Sequence, residues 1–151
     1  LAVAAIELRW EHRKVAMDKL FSPVNSPLRR LKLYFDEAHA TQLKLFQQGG
    51  RVLGCPDFSL GSELCATDTE VADRVNLVLQ ETLNYFELAI ADAYTRKEIT
   101  VDNANKCARQ VLSFYEGVLT LAKIRNEPAL LDDIWPGTLR LLGATSERAD
   151  G

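Results

Sequence analysis

Apolar residues recur at helical spacing along the whole of this 151-residue chain. Residues three, four and seven positions apart share one face of a helix, whereas half-buried strands alternate with a period of two. No run of the sequence alternates at period two with β-branched residues, and its eight glycines and five prolines fall mostly between the periodic segments. The sequence therefore predicts an all-α fold, an antiparallel bundle of about six helices in one domain.

The expected helices cover residues 1–21, 27–47, 56–65, 67–97, 103–126 and 128–143. Thr67 and Glu70 have the spacing of a capping box, in which each side chain accepts from a backbone N–H at the helix start. Asp102 is the predicted cap of the helix over 103–126. Pro136 lies inside the last helix and is expected to kink it. Residues 144–151 are small and polar, so we expect a flexible tail.

The composition narrows the class of protein. The apolar content is 47%, and the net charge of −3 gives no electrostatic footprint for nucleic acid. Cys55, Cys65 and Cys107 form no CxxC pair, which argues against a structural zinc site and a disulfide framework and fits a reducing cytoplasm. No apolar run approaches the roughly 20 residues of a membrane span. We therefore expect a cytoplasmic protein without membrane contact or cofactor.

Two segments carry the most specific signal. The first is Gly54–Leu64, with the sequence GCPDFSLGSEL, and the second is Glu116–Arg125, with EGVLTLAKIR, followed by PALL from Pro128. They resemble the "GCPxGSLAxEL" signature, the "EGxLxLAKxR" stretch and the "DPALL" start of the last helix in the C-terminal regulatory domain of tetracycline-repressor (TetR)-family transcriptional regulators. The order and spacing match over about residues 1–143. Phe58 stands where the signature usually has Gly, so its ring either lines a pocket or packs in the core.

The resemblance implies a DNA-binding helix-turn-helix domain of about three helices ahead of residues 1–21. Nothing precedes Leu1 in this sequence, so we expect residues 1–143 to be the regulatory part, with that DNA-binding domain absent and 1–21 forming the distal part of the connecting helix. In this family a ligand bound inside the regulatory domain shifts that helix and changes the separation of the two DNA-binding domains of the dimer. A two-fold DNA binder needs this separation to match the spacing of its half-sites. Contact with operator DNA is expected only through the missing domain.

The helix over 103–126 has an apolar band wide enough to bury two surfaces. The resemblance implies a homodimer through the last two helices, and a close approach at Gly117 would offset the cost of about 1 kcal/mol that glycine carries in a helix. The expected interface residues are Gln110, Ser113, Phe114, Gly117, Leu121, Ile124, Leu131, Ile134, Leu139 and Leu142. The same faces are also compatible with the core of a single chain.

The opposite face of that helix is expected to close a ligand cavity formed with the first four helices. Aromatic side chains with a few polar groups are typical of small-molecule pockets. The expected lining residues are Trp10, Met17, Phe35, His39, Phe58, Phe86 and Tyr115. Such a pocket suits a small apolar or amphipathic effector. Each aromatic also fits a plain core position, and His39 also fits the exposed flank of its helix.

Two other functions compete with this interpretation. A helical di-iron enzyme needs Glu-x-x-His spacing on two helices, which His12 and His39 do not provide, and no phosphate loop or Gly-x-Ser-x-Gly elbow is present. A ligand-free dimerisation or adaptor module would share the dimer helices but lack the cavity. We expect an effector-binding and dimerisation domain without catalytic activity or a metal.

Overall fold

Six helices and one 3₁₀ segment make up the fold of the chain, for which a computed structural model describes residues 1–144. The elements are α1 (Ala2–Leu20), α2 (Pro27–Gly49), α3 (Pro56–Leu64), α4 (Thr69–Thr95), α5 (Ala104–Arg125), the 3₁₀ segment Pro128–Asp133 and α6 (Ile134–Leu142). No strand occurs among the described residues, and the predicted all-α fold is confirmed. Of the tail predicted at 144–151, only Ala144 lies within the described residues. No helix within 1–144 is long and apolar enough to cross a membrane.

Short polar side chains cap two of the long helices, one position away from the predicted caps. The α4 helix is capped by Asp68, whose carboxylate accepts from a first-turn amide at 3.0 Å, and not by Thr67. The α5 helix is capped by Asn103, whose side-chain oxygen accepts at 2.8 Å, and not by Asp102. Asp, Asn and Thr are all good caps by residue type, so the type alone does not say which of two neighbours takes the position.

The segment predicted as one kinked helix over 128–143 is divided in two. Pro128 opens a 3₁₀ segment, and α6 begins at Ile134. Pro136 therefore lies in the first turn of α6, where its missing N–H removes no intrahelical hydrogen bond. The chain accommodates this proline by changing helix type before it, and not by a kink within a continuous α-helix.

The α5 helix lies at the centre of the bundle, packed against α4, the 3₁₀ segment and α6. Its buried residues are Cys107, Ala108, Val111, Leu112, Tyr115, Glu116, Leu119 and Ala122. The α2 helix packs on α4, and α1 packs on α4 and α2. The core is therefore built mainly from α2, α4, α5 and α6, with α1 laid across one side.

The α1 helix buries fewer side chains than the other long helices. Among its 19 residues only Ile6, Trp10 and Met17 are buried. Two of its polar pairs with α4 are hydrogen bonds, Trp10–Glu81, in which the indole N–H donates, and Asp18–Tyr85, in which the phenol donates. The other two are ion pairs, Glu7–Arg74 at 2.7 Å and Lys14–Glu81 at 3.6 Å. Polar pairs near the surface contribute little each, so α1 has a weaker hold on the core than the other long helices.

Aromatic rings fill the space between α2, α4 and α5. Tyr34 packs edge-on against Phe86, with ring centroids 5.0 Å apart, and Phe35 packs against Tyr115 at 5.2 Å. The cluster comprises Phe21, Tyr34, Phe35, Tyr85, Phe86, Tyr115 and Trp135. Edge-to-face and offset contacts of this kind contribute beyond the burial of area, so these rings form a solid core at this level of the bundle.

A close approach at Gly61 brings α3 against α4. A Cβ atom at Gly61 would lie 2.7 Å from Cγ1 of Val75, which is buried on α4. Because valine is stiff at χ1, its methyl group cannot turn away freely. Any side chain at position 61 therefore forces the two helices apart.

We predict that Gly61→Ala lowers the free energy of unfolding by about 1 kcal/mol, because overpacking outweighs the gain in helix propensity. Chemical denaturation of the two proteins measures the difference. Gly49→Ala is the matched control, since a Cβ there meets no atom within 4 Å. Adding Val75→Ala to Gly61→Ala should recover part of the loss in a double-mutant cycle, and additive losses would contradict the steric explanation.

Candidate functional site

The segment before α3 is held in shape by one buried amide side chain. Gln42 of α2 accepts from the backbone N–H groups of Leu53 at 3.1 Å and Gly54 at 3.0 Å, and donates to the Gly54 carbonyl at 3.1 Å. Gly54 has a φ of +72°, a conformation that favours glycine, and a Cβ there would lie 3.2 Å from Cδ of Lys123. Both the backbone angle and the space therefore require glycine at position 54.

The two segments that carry the family resemblance meet in space. Lys123 of α5 covers Gly54 and donates from Nζ to the Ser59 hydroxyl at 3.3 Å. Glu116, about two turns earlier on α5, faces the thiol of Cys55. Cys55 also caps α3, since its sulfur accepts from a first-turn amide at 3.5 Å. The GCP segment is thus positioned by α2 on one side and by α5 on the other.

A cavity of about 480 Å³ lies between α1, α2, α5 and this segment. Its volume falls in the range that holds a drug-sized ligand. The lining residues are Arg9, His12, Arg13, Ala16, Met17 and Leu20 of α1, Tyr34, Glu37, Ala38, Thr41 and Gln42 of α2, Gly54, Cys55, Pro56 and Asp57 at the start of α3, and Tyr115 and Leu119 of α5. One wall is therefore α1, the long helix with the fewest buried residues.

Two arginines of α1 face this cavity with different partners. Arg9 donates from Nε to the buried Asp57 carboxylate at 3.2 Å and also from its terminal nitrogen, which closes a link between α1 and α3. Arg13 donates to the Tyr34 hydroxyl and lies over the Tyr34 ring, 5.4 Å from its centroid. Arg9 is thus neutralised by a carboxylate, whereas Arg13 rests on a neutral phenol.

The structure brings only Met17 and Tyr115 of the predicted lining residues to the cavity. Phe35 and Phe86 are buried in the aromatic cluster, where their rings pack on one another, and Phe35 lines a separate, smaller cavity instead. Trp10 is buried against α4, and no residue of α4 lines the cavity. The cavity is therefore displaced towards α1 from the position that the sequence predicts.

The other two predicted residues lie elsewhere. His39 is half-buried, with Nε2 3.4 Å from the Asp132 carboxylate. It lines the separate, smaller cavity of about 130 Å³ between α2, the 3₁₀ segment and α6. Phe58 is half-buried on α3 and lines neither cavity. Within residues 1–144, no three His, Cys, Asp or Glu side chains are grouped so that they could hold a metal ion.

The polar residues of the cavity are those that the sequence analysis missed. On α1, residues Arg9, Arg13 and Met17 are each four positions apart, so the helix presents a mixed basic and apolar stripe. Tyr34 was overlooked because its neighbour Phe35 continues the apolar spacing of α2. Arginines at helical spacing beside apolar residues are the sequence signal for this stripe. The signal does not indicate which residues of other helices the stripe contacts.

The predicted dimer residues divide into two groups. Gln110, Ser113, Phe114, Gly117, Leu121 and Ile124 form one outer face of α5, with Leu121 49% and Ile124 76% exposed. The other four are in the core of the single chain, and they are Leu131, Ile134, Leu139 and Leu142. These apolar residues of the 3₁₀ segment and α6 thus pack against the inner side of α5 and complete the core there. Ile124 and Leu121 leave an apolar patch open on its outer side.

Glu116 is a buried carboxyl with an unusual charge state. It is 3% exposed, and its Oε2 has no hydrogen-bond partner. Burial raises the pKa of Glu116 to about 7, although the Cys55 thiol and Arg13 both favour its ionised form. Because the folded-state pKa lies above the ordinary value of 4.5, the folded chain binds this proton more tightly than the unfolded chain.

We therefore predict that Glu116 makes the wild-type protein less stable as the pH rises from about 5 to 8, through the pKa of about 7. Glu116→Gln cannot ionise, so its free energy of unfolding relative to wild type should rise by about 1–3 kcal/mol over that interval. Denaturant titrations at both pH values measure the change. Glu63→Gln, at an exposed position of α3, is the matched control. A difference that stays constant with pH would contradict the assignment.

Comparison with known proteins identifies the fold. A family model described as "Tetracyclin repressor-like, C-terminal domain" matches residues 27–137, which include α2 to the first turn of α6. No curated protein and no solved structure matches the chain. Domains of this family belong to transcriptional regulators, in which they serve ligand binding and dimerisation. With nearly three quarters of its length matched, the chain belongs to the family of tetracyclin repressor-like C-terminal domains.

Proposed function

We propose that this domain binds a small-molecule effector in the cavity between α1, α2 and α5, and that the bound effector moves α1 and so changes the affinity of a two-headed regulator for its operator. The observation that carries the proposal is the composition of the cavity wall. Six of the lining residues belong to α1, and the others belong to α2, α5 and the start of α3. A ligand there would touch both the weakly held wall and the firmly packed ones.

The attachment of α1 determines how a ligand would act. Its three buried residues hold it weakly, whereas α2 and α5 share the aromatic cluster and the Gln42 contacts. A ligand that fits best with α1 in one position stabilises that position by its differential affinity. In regulators of this family the DNA-binding head precedes this domain, so a displacement of α1 changes the separation of the two heads.

The outer face of α5 supports a homodimer. Ile124 and Leu121 are exposed apolar residues, and Gly117 between them and Gln110 leaves the backbone open, since an added Cβ would meet no atom within 4 Å. Two copies of a helix with a glycine at its centre can approach closely around a two-fold axis. The proposed interface is this face of α5, with the partly buried Phe114 at its edge.

We predict that Gly117→Leu has opposite effects on the monomer and on the dimer. Within one chain the substitution meets no atom and raises helix propensity, so the monomer should gain about 1 kcal/mol of stability. Across the interface the added side chain overpacks, and dimer affinity should fall by about 1–3 kcal/mol. Sedimentation velocity and chemical denaturation measure the two effects.

Gly49→Leu is the matched control for this test, since position 49 is equally open within the chain and lies at the end of α2. It should leave the association unchanged. A wild-type chain that sediments as a monomer at micromolar concentration, or a Gly117→Leu variant that dimerises as tightly as wild type, would overturn the proposed interface.

We predict that N-phenyl-1-naphthylamine, a neutral fluorescent probe, binds the cavity and raises the melting temperature in a dose-dependent way, because it binds the folded state only. Ala38→Phe places a ring in the cavity and should abolish both effects. Ala40→Phe, at an exposed position of α2 outside the cavity, should bind the probe like wild type. Equal binding by the two variants would contradict the site.

Hydrogen exchange tests separately whether ligand binding affects α1. With the probe bound, hydrogen exchange should slow in peptides from α1 and change little in α6, since only α1 forms a weakly held wall of the cavity. Ala38→Phe should show no response. Probe binding that leaves α1 exchange unchanged would contradict the proposed transmission while leaving the binding site in place.

A further inference from the structure

We infer that the effector carries an anionic group on an apolar body, and that Arg13 with the hydroxyl of Tyr34 binds that group. This inference rests on the proposed function, because it names the ligand class of the same cavity. It depends on the charges that face the cavity, on their partners, and on the direction in which the free hydrogen-bond donors point.

The charges at the rim cancel or are solvated. Arg9 is paired with the buried Asp57, so this pair adds no net charge to the cavity. Glu37 and His12 line the rim at exposed positions, where water screens them. Within the cavity, Arg13 is therefore the charge that a ligand would meet away from bulk solvent.

Arg13 has no carboxylate partner among the described residues, and its one hydrogen bond goes to the Tyr34 hydroxyl. Two buried carboxyls influence Arg13 electrostatically. Asp57 is already paired with Arg9, and burial raises the pKa of Glu116 to about 7, so near neutral pH Glu116 carries only part of a negative charge. A guanidinium has five N–H donors, and most of those of Arg13 have no acceptor. A cation that is partly buried and unpaired favours an anion in the space beside it.

The Tyr34 hydroxyl adds a second donor. It accepts from Arg13, and burial raises the pKa of Tyr34 to about 12, so the phenol keeps its hydrogen. Its direct hydrogen bond is the one it accepts from Arg13, so its own hydrogen can point to a ligand. A guanidinium and a phenol side by side match two oxygens of a carboxylate, sulfonate or phosphate group.

The rest of the cavity suits an apolar body. Beside these donors lie Met17, Leu20 and Leu119, which are aliphatic, together with the faces of Tyr34 and Tyr115. A volume of about 480 Å³ exceeds what a small inorganic anion fills. The arrangement therefore selects an amphipathic anion over a free anion and over a neutral or cationic apolar molecule.

A matched pair of probes tests this inference. The dye 1-anilinonaphthalene-8-sulfonate is N-phenyl-1-naphthylamine with one added sulfonate, so the two differ mainly in charge. We expect the sulfonate probe to bind wild type at least about tenfold more tightly, as a charge-assisted hydrogen bond implies. Arg13→Gln should remove that preference and leave the neutral probe unaffected. Tyr34→Phe should remove part of it.

Arg29→Gln is the matched control, since Arg29 is exposed on α2, outside the cavity, and the substitution removes the same charge. It should keep the preference for the sulfonate. If wild type binds both probes equally, or if Arg13→Gln keeps the preference, the inference fails while the proposed cavity stands. If neither probe binds, or if Ala38→Phe leaves both affinities unchanged, both the inference and the proposed function fail. Melting curves of every variant confirm that each is folded.

Discussion

The left-handed backbone at Gly54 and the Gln42 amide that holds it are the constraint on which the cavity depends. Three hydrogen bonds from one buried side chain fix the direction in which the chain enters α3. That direction places Cys55 against Glu116 and the Asp57 carboxylate against Arg9, so α3 closes the cavity without filling it. A non-glycine residue at 54 would be strained and would also meet Lys123, so the geometry admits no simple alternative.

The α1 helix and the helices α2, α4 and α5 are held in the bundle by different kinds of contact. Aromatic rings join α2, α4 and α5 into a solid core, and rings in contact do not slide past each other easily. Polar pairs at the surface, such as Glu7 with Arg74, can exchange protein partners for water at little cost. Under the proposed function, a ligand bound between the two kinds of surface shifts α1, because its polar pairs are the ones that exchange at little cost.

The limits of sequence reasoning are clearest at the candidate site. Residues Phe35 and Phe86 have the spacing of inward-facing positions, and both are indeed buried. Their spacing does not say whether rings enclose a space or fill one, because that depends on the distance between helices and on the rotamers of all the rings. Arg13 and Tyr34 come from different helices, and nothing in either segment alone indicates that they meet.

The amino-acid sequence by itself determined the helical class, the bounds of most helices and the family, because apolar periodicity and short motifs are local properties of a chain. Tertiary structure decided which neighbour caps a helix, how Pro136 is accommodated, and which polar groups surround a cavity. It also decided that Glu116 is buried, and this burial raises the pKa of its carboxyl to about 7. These outcomes depend on contacts between segments far apart in the chain, and such contacts exist only once the helices have packed.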